Sequence, residues 1–178
     1  MKYCLFALIC TLFYSVVPAQ QYTPVNTGTT ISFKIKNFGF TVDGSFSGIK
    51  GAIEFAPDDL AKASFEVTID AASINTDNTM RDNHLREESY FDVKNHPLIR
   101  FVSTRVSASN KKGIFLMFGK LTIKDHTQEL SFPFSASSMA EGYQFDGEFK
   151  INRRDFKVGG SSTLSDNVVV TLRVFAKK

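Results

Sequence analysis

Residues 75–103 read NTDNTMRDNHLREESYFDVKNHPLIRFVS, and this stretch decides the fold. It contains a short charged segment that Asp77 or Thr79 can cap as a helix start. On either side of this segment, apolar and polar residues alternate strictly, as they do in a strand with one buried face. The stretch therefore predicts a short helix, near residues 79–90, inserted into a chain that is otherwise built of β-strands.

The alternation continues through the rest of the chain, and each run carries one apolar face. The apolar positions of these runs are Ile31, Phe33 and Ile35; Phe65, Val67 and Ile69; Ile99 and Phe101; Leu130, Phe132 and Phe134; Tyr143, Phe145, Phe149 and Ile151; and Val168, Val170, Leu172 and Val174. Turn residues separate the runs at Asp43-Gly44, Gly48 to Gly51, Pro57 to Asp59, Asn110 to Gly113, Glu141-Gly142 and Gly159-Gly160. The pattern predicts about eight strands in one domain, joined as an antiparallel meander.

Periodicity does not distinguish a two-sheet sandwich from a closed barrel, because both bury one face of each strand. Composition adds that the chain has 18 Phe and no Trp. So many apolar rings in a small domain predict either a thick core or an apolar cavity. An eight-stranded barrel is just wide enough to be filled by side chains or to hold one slender ligand.

The first residues predict a secretory signal peptide over residues 1–19, with Lys2 before an apolar run that ends at Val17-Pro18-Ala19. The run is shorter than the roughly 18 residues of a spanning helix, so no stable membrane insertion is expected. Cys4 and Cys10 both lie in this leader. The exported domain, residues 20–178, would then be periplasmic or secreted, and it would lack any thiol nucleophile, redox pair or thiolate metal site.

The sequence gives little support for nucleic-acid binding, metal binding or enzymatic catalysis. Lys and Arg total 21 against 18 Asp and Glu and form no dense block, which argues against a nucleic-acid partner. His84, His96 and His126 lack the close spacing of metal ligands, so no metal is expected. No serine stands in a nucleophile elbow, and no phosphate-binding glycine loop is present. The sequence predicts a protein that is not an enzyme and that uses no cofactor.

Six ordered motifs carry a family resemblance. Within residues 75–103 they are N-T-D-N-x-M-R-D-x-H-L, Y-F-D and P-x-I-x-F-x-S; the others are ISFKIKNFGFTVDGSFSGIKGAIEF (31–55), GKLTIKDHTQELSFPF (119–134) and NRRDFKVGGSSTLSDNVVVTLRVFAKK (152–178). In this order the chain resembles the YceI-like family of polyisoprenoid-binding, lipocalin-like periplasmic proteins. It departs from the family at Asn37, since many members have histidine near this position. The resemblance implies an all-β, eight-stranded antiparallel barrel with a long apolar bore and a short helical insertion.

Two polar clusters are candidates for a role at the mouth of such a bore. In the first, Arg81 or His84 would lie near a ligand's polar head, with Met80 and Leu85 pointing into the barrel; a salt-bridged brace is the alternative and is favoured. In the second, Arg153 with Arg154 could recognise a diphosphate. Here too a brace is favoured, with Asp155 or Asp82 as the partner carboxylate.

The resemblance implies non-catalytic binding, transport or storage of a long isoprenoid lipid, a polyprenyl chain or an isoprenoid quinone, inside the barrel. Three alternatives stay open: a structural or stress protein with a filled barrel, a binder of fatty-acid-type amphiphiles, and a hydrolase or isomerase that acts on a lipid head group. A homodimer also stays open.

For each predicted wall residue, ordinary core packing is as plausible as ligand contact. These candidates are Phe33, Ile35, Phe65, Val67, Phe101, Leu121, Phe132, Phe145 and Phe149.

Overall fold

Nine strands and one α-helix form the part of the chain that the computed structural model describes, residues 20–178. The predicted leader and both cysteines lie outside these residues. Short 3-10 helices occupy Leu60–Lys62, Ala71–Ser73 and Arg153–Phe156. The other elements are β1 (Gln21–Asn37), β2 (Phe40–Phe46), β3 (Lys50–Glu54), β4 (Ser64–Asp70), α1 (Thr79–Leu85), β5 (Leu98–Ala108), β6 (Ile114–Ile123), β7 (His126–Met139), β8 (Gly142–Asn152) and β9 (Leu164–Lys177).

The strands close into a barrel, which confirms the predicted fold class. From β3 to β9 each strand pairs with the next in antiparallel fashion, and β1 closes the ring by pairing with both β3 and β9. This makes eight strands. The ninth, β2, is an extra strand because β1 is long enough to pair with β3 at Tyr22 and with β2 from Ile31 onward.

The chain kinks between β2 and β3, at the predicted turn Gly48 to Gly51. The Oδ1 atom of Asn26 accepts hydrogen bonds from the backbone N–H groups of Gly48 at 2.9 Å and Ile49 at 3.1 Å. Opposite this point β1 itself bulges between Val25 and Thr30 in its pairing with β9. The two irregularities lie together, so the wall bends at one place and the barrel can close.

The predicted turn at Asp43-Gly44 is wrong, since both residues lie inside β2. The chain reverses instead at Phe38-Gly39, with φ values of 49° and 84°. Two consecutive positive φ angles are typical of the tight two-residue turn of a β-hairpin, where Asn-Gly is the usual sequence. Because Phe is rare at such a position, turn chemistry alone did not indicate this hairpin.

The lower end of the barrel, where β1 begins and β9 ends, is sealed by an aromatic cluster that we call the floor. Phe55, only 1% exposed, lies at its centre, and its ring centroid is 5.3–6.2 Å from five other rings. Burial in the same region raises the pKa of the Tyr22 phenol, with the nearby Tyr143 as a smaller cause. These neighbouring rings belong to Phe65, Phe115, Phe134, Tyr143 and Phe145.

Candidate functional site

Above the floor, the barrel encloses a cavity of about 250 Å³. All nine strands contribute side chains to its wall, which is almost wholly apolar. It extends from Ile53, next to the floor, to a rim formed by Asn37, Thr76, Arg81 and Leu164, which we call the mouth. The barrel is therefore hollow over part of its length, while the floor is packed.

The nine apolar residues predicted for the lining all contribute to this wall. They do so because each occupies an inward position of its strand, and inward positions alternate with outward ones along every strand of a barrel. These residues are Phe33, Ile35, Phe65, Val67, Phe101, Leu121, Phe132, Phe145 and Phe149.

Two of the lining rings lie against glycines of neighbouring strands. A Cβ atom placed on Gly44 would lie 2.2 Å from Cζ of Phe33, and one on Gly119 would lie 2.4 Å from Cζ of Phe101. Each ring thus occupies the space that an ordinary side chain on the adjacent strand would fill. Gly44 is the register partner of Phe33, whereas Gly119 pairs with Ser103, two residues along β5 from Phe101. These two glycines therefore leave room for the inward rings of the cavity wall.

At the mouth, Arg81 belongs to a small hydrogen-bonded group around Thr76. The guanidinium donates from Nε to Oγ1 of Thr76 and from Nη2 to its carbonyl oxygen, both at 2.7 Å. Oδ1 of the buried Asp82 accepts from the Thr76 hydroxyl at 2.6 Å and from its N–H at 2.9 Å. Within residues 20–178, no hydrogen bond of the Arg81 Nη1 group is formed. Arg81 is therefore a brace that still has donors available at the cavity wall.

Arg153 also lines the cavity, but its side chain is 3% exposed and its donors are engaged. Nη1 donates to the carbonyl oxygens of Val158 at 2.7 Å and Gly160 at 3.1 Å. Nε and Nη2 donate to three further oxygens, so all five N–H groups have a partner. Those acceptors are the carbonyls of Ser165 and Leu164 and Oδ1 of Asp166. The guanidinium thus has no donor left for a diphosphate, and its carboxylate partner is Asp166 rather than Asp155 or Asp82.

The structure places His84 outside the cavity wall. Its ring is largely exposed, its Nδ1 lies 2.9 Å from Oε2 of Glu87, and its centroid is 4.8 Å from that of the Tyr90 ring. Met80 is also outward, at 83% exposure, so the prediction that it points into the barrel is wrong. The reason is helical periodicity: α1 turns Asp82 and Leu85 inward, and positions 80 and 84 then share the outer face.

The helix begins one residue away from the predicted caps. Asn78 caps it, because its side chain accepts a hydrogen bond from the N–H of Arg81 at 3.0 Å.

Across residues 20–178, no cluster of three or more histidine or acidic side chains is arranged to hold a metal ion. In the same part of the chain, no helix combines the length and apolar character needed to cross a membrane.

Comparison with known proteins places this barrel among relatives. A UPF0312 protein of Photorhabdus laumondii is 31% identical over 137 residues, which cover 76% of this chain and 68% of the relative. The crystal structure of Burkholderia cenocepacia BcnA superposes with a TM-score of 0.80 at 24% identity, covering 87% of this chain and 99% of BcnA.

A second solved structure is a polyisoprenoid binding domain from Saccharophagus degradans implicated in plant cell wall breakdown. It matches with a TM-score of 0.70 at 14% identity and covers 88% of this chain and 97% of that domain. At such identities the two solved structures establish a shared fold. The model of the YceI-like domain matches residues 22–176, nearly all of the described barrel. The chain therefore belongs to the YceI-like family.

Proposed function

We propose that this protein binds the hydrocarbon tail of an isoprenoid lipid inside its barrel, without catalysis, and carries or stores that lipid outside the cytoplasm. The observation that supports the proposal is the apolar cavity of about 250 Å³ above a packed floor. A filled structural barrel would not leave such a space. The polyisoprenoid binding domain of Saccharophagus degradans has the same fold, which adds support for this ligand class.

Binding of the tail would be stabilised mainly by the apolar surface area that it buries against the cavity wall. Each buried CH2 group contributes about 0.8 kcal/mol, and burial along a wall of this kind needs no hydrogen bond. Ligand pockets for small molecules usually measure roughly 300–1,000 Å³. At about 250 Å³ the cavity lies just below this range. We therefore expect it to take a slender tail or the end of a longer one, with the polar head left at the mouth beside Arg81.

A chain-length series tests this proposal. We expect isoprenoid alcohols of increasing length to bind more tightly with each added unit, roughly fourfold per CH2 that enters the cavity, until the cavity is full and affinity stops rising. Titration calorimetry at constant salt measures the series, and saturated fatty acids of matched length form the comparison set. Failure of all these alcohols to bind, or an affinity independent of length, would overturn the proposal; tighter binding of the fatty acids would shift it to the alternative ligand class.

The head-group preference should depend on Arg81. A charge-assisted hydrogen bond contributes about 1.5–3 kcal/mol, so the variant Arg81→Met should lose roughly tenfold or more of any preference for farnesyl phosphate over farnesol. Affinity for farnesol should change little, because the tail wall is intact. Arg154→Met is the matched control, since this exposed arginine has the same charge and pairs with Asp166. An unchanged preference in Arg81→Met would show that Arg81 is a brace alone.

A further inference from the structure

The largest exposed apolar side chains include three whose elements border the cavity mouth. Phe38 and Phe40 are 75% and 78% exposed on the β1–β2 hairpin tip, and Met80 is 83% exposed on α1. Single exposed apolar residues are ordinary on protein surfaces. Here, however, two rings of the same type flank Gly39 at one tip, so that both project from the barrel at a single point.

The elements that carry these side chains also contribute to the cavity wall. Asn37 and Val42, which flank the tip in sequence, both line the cavity, as does Arg81 next to Met80. The wall is also incomplete on this side. One edge of β2 pairs with β1, while the other edge makes within residues 20–178 a single bridge, between Ser45 and Asn75. The ladder of strands around the cavity is thus interrupted between β2 and α1, the two elements that border the exposed apolar groups.

The turn itself does not explain the aromatic residue at its first position. Phe38 has a φ of 49°, in the left-handed region that Asn, Asp and Gly tolerate and that bulky side chains rarely adopt. An Asn-Gly pair would form the same turn at lower cost. A residue that is unfavourable for the local backbone, and that buries nothing in the barrel, points to a role outside the fold.

Area and charge together favour a bilayer as the partner. A stable protein interface buries about 800 Å² on each side, far more than three side chains at a narrow tip can supply, whereas a membrane interface accepts such groups without a complementary shape. On the hairpin, Nζ of Lys34 lies 3.6 Å from Oδ1 of Asp43. The one other charged residue of β1 and β2 is Lys36, so the hairpin carries a net charge of only +1. A single cation attracts anionic lipid weakly, so the apolar groups rather than charge would hold the tip.

We propose that Phe38, Phe40 and Met80 insert into the surface of a phospholipid bilayer and hold the cavity mouth against it. A lipid then moves between membrane and cavity without exposing its tail to water. The inference rests on the proposed function for its purpose, but the docking contact is tested separately. Insertion by apolar groups should occur on zwitterionic lipid and persist at high salt, because screening weakens only charge attraction.

The absence of Trp from the sequence allows a direct test. Phe40→Trp places one fluorophore at the tip, and Met139→Trp places one at an exposed site at the end of β7, on the opposite end of the barrel. With ligand-free phosphatidylcholine vesicles carrying brominated acyl chains, we expect blue-shifted and strongly quenched emission from Phe40→Trp and unchanged emission from Met139→Trp. Equal quenching of both reporters, or of neither, would overturn the docking contact. So would a blue shift that grows with protein concentration without vesicles, which would assign the tip to a second copy of the chain.

A transfer assay connects docking with lipid uptake. We expect the double variant Phe38→Ser and Phe40→Ser to take up a fluorescent isoprenoid from these vesicles at least tenfold more slowly, while its affinity in vesicle-free titration stays at the wild-type value. An unchanged uptake rate would overturn the inference. A protein that binds isoprenoids but does not dock contradicts the docking alone, and one that docks but binds no isoprenoid contradicts the proposed function alone.

Discussion

Replacing Gly44 with alanine is expected to weaken lipid binding about tenfold while the barrel stays folded. The new Cβ would lie 2.2, 2.6 and 2.9 Å from three atoms of the Phe33 ring, and these are its nearest neighbours. Because no backbone atom is among them, the ring must move while the strands stay in place. Phe33 lines the cavity, so its displacement takes up space there. Excluding about two CH2 groups of the tail costs roughly 1.6 kcal/mol, which is the expected tenfold.

Two further variants make this prediction specific. Gly147→Ala provides a graded comparison within the same wall, since its Cβ would lie 3.1 Å from Cε2 of Phe132 and needs a smaller ring shift, so the loss of affinity should be clearly smaller than for Gly44→Ala. The double variant Gly44→Ala with Phe33→Ala should recover most of the lost affinity, because the displaced ring is then gone. Titration gives the affinities and thermal unfolding checks the fold. Wild-type binding by Gly44→Ala, or a double variant as weak as the single one, would contradict the account of the cavity wall.

Arg153→Met is expected to lower the free energy of unfolding by roughly 3–5 kcal/mol, the range found when one partner of a buried charged network is removed. The substitution leaves the carbonyl oxygens of Val158, Gly160, Leu164 and Ser165 without their donor. It keeps the side-chain length and the apolar stem, so packing changes little. Urea unfolding followed by circular dichroism measures the loss.

Arg154→Met supplies the control one residue away. Arg154 pairs with the same carboxylate, Asp166, but its side chain is 52% exposed, and surface ion pairs contribute about 0–1 kcal/mol. The two variants should therefore differ by several kcal/mol although each removes one arginine. Equal losses from the two would show that the buried guanidinium does not organise the loop after the Arg153–Phe156 helix.

Strand positions and inward faces could be predicted from the sequence because a strand repeats every two residues. Phe65 and Phe149, for example, face inward as the alternation requires. Barrel closure could not be predicted from periodicity, because it depends on the pairing of β1 with β9. The family resemblance indicated a closed barrel. The hairpin tip was missed because turn preferences do not favour Phe at a positive φ.

The polar part of the site was harder to predict for a physical reason. A seven-residue helix can place either face inward, and in this protein the choice follows from the bonds between Asp82 and Thr76, which turn His84 toward solvent. Arg153 depends on carbonyl oxygens of a loop whose conformation has no repeating pattern. Side chains that act through long-range backbone contacts leave little signal in a single sequence.

Native mass spectrometry of the purified domain, mixed with an isoprenoid alcohol, tests the hollow barrel most directly. We predict one alcohol bound per wild-type chain and a much smaller bound fraction for Gly44→Ala under the same conditions. The cavity of about 250 Å³ would then be the binding site. No adduct with the wild-type chain, or equal adducts with both proteins, would contradict a lipid site inside the barrel.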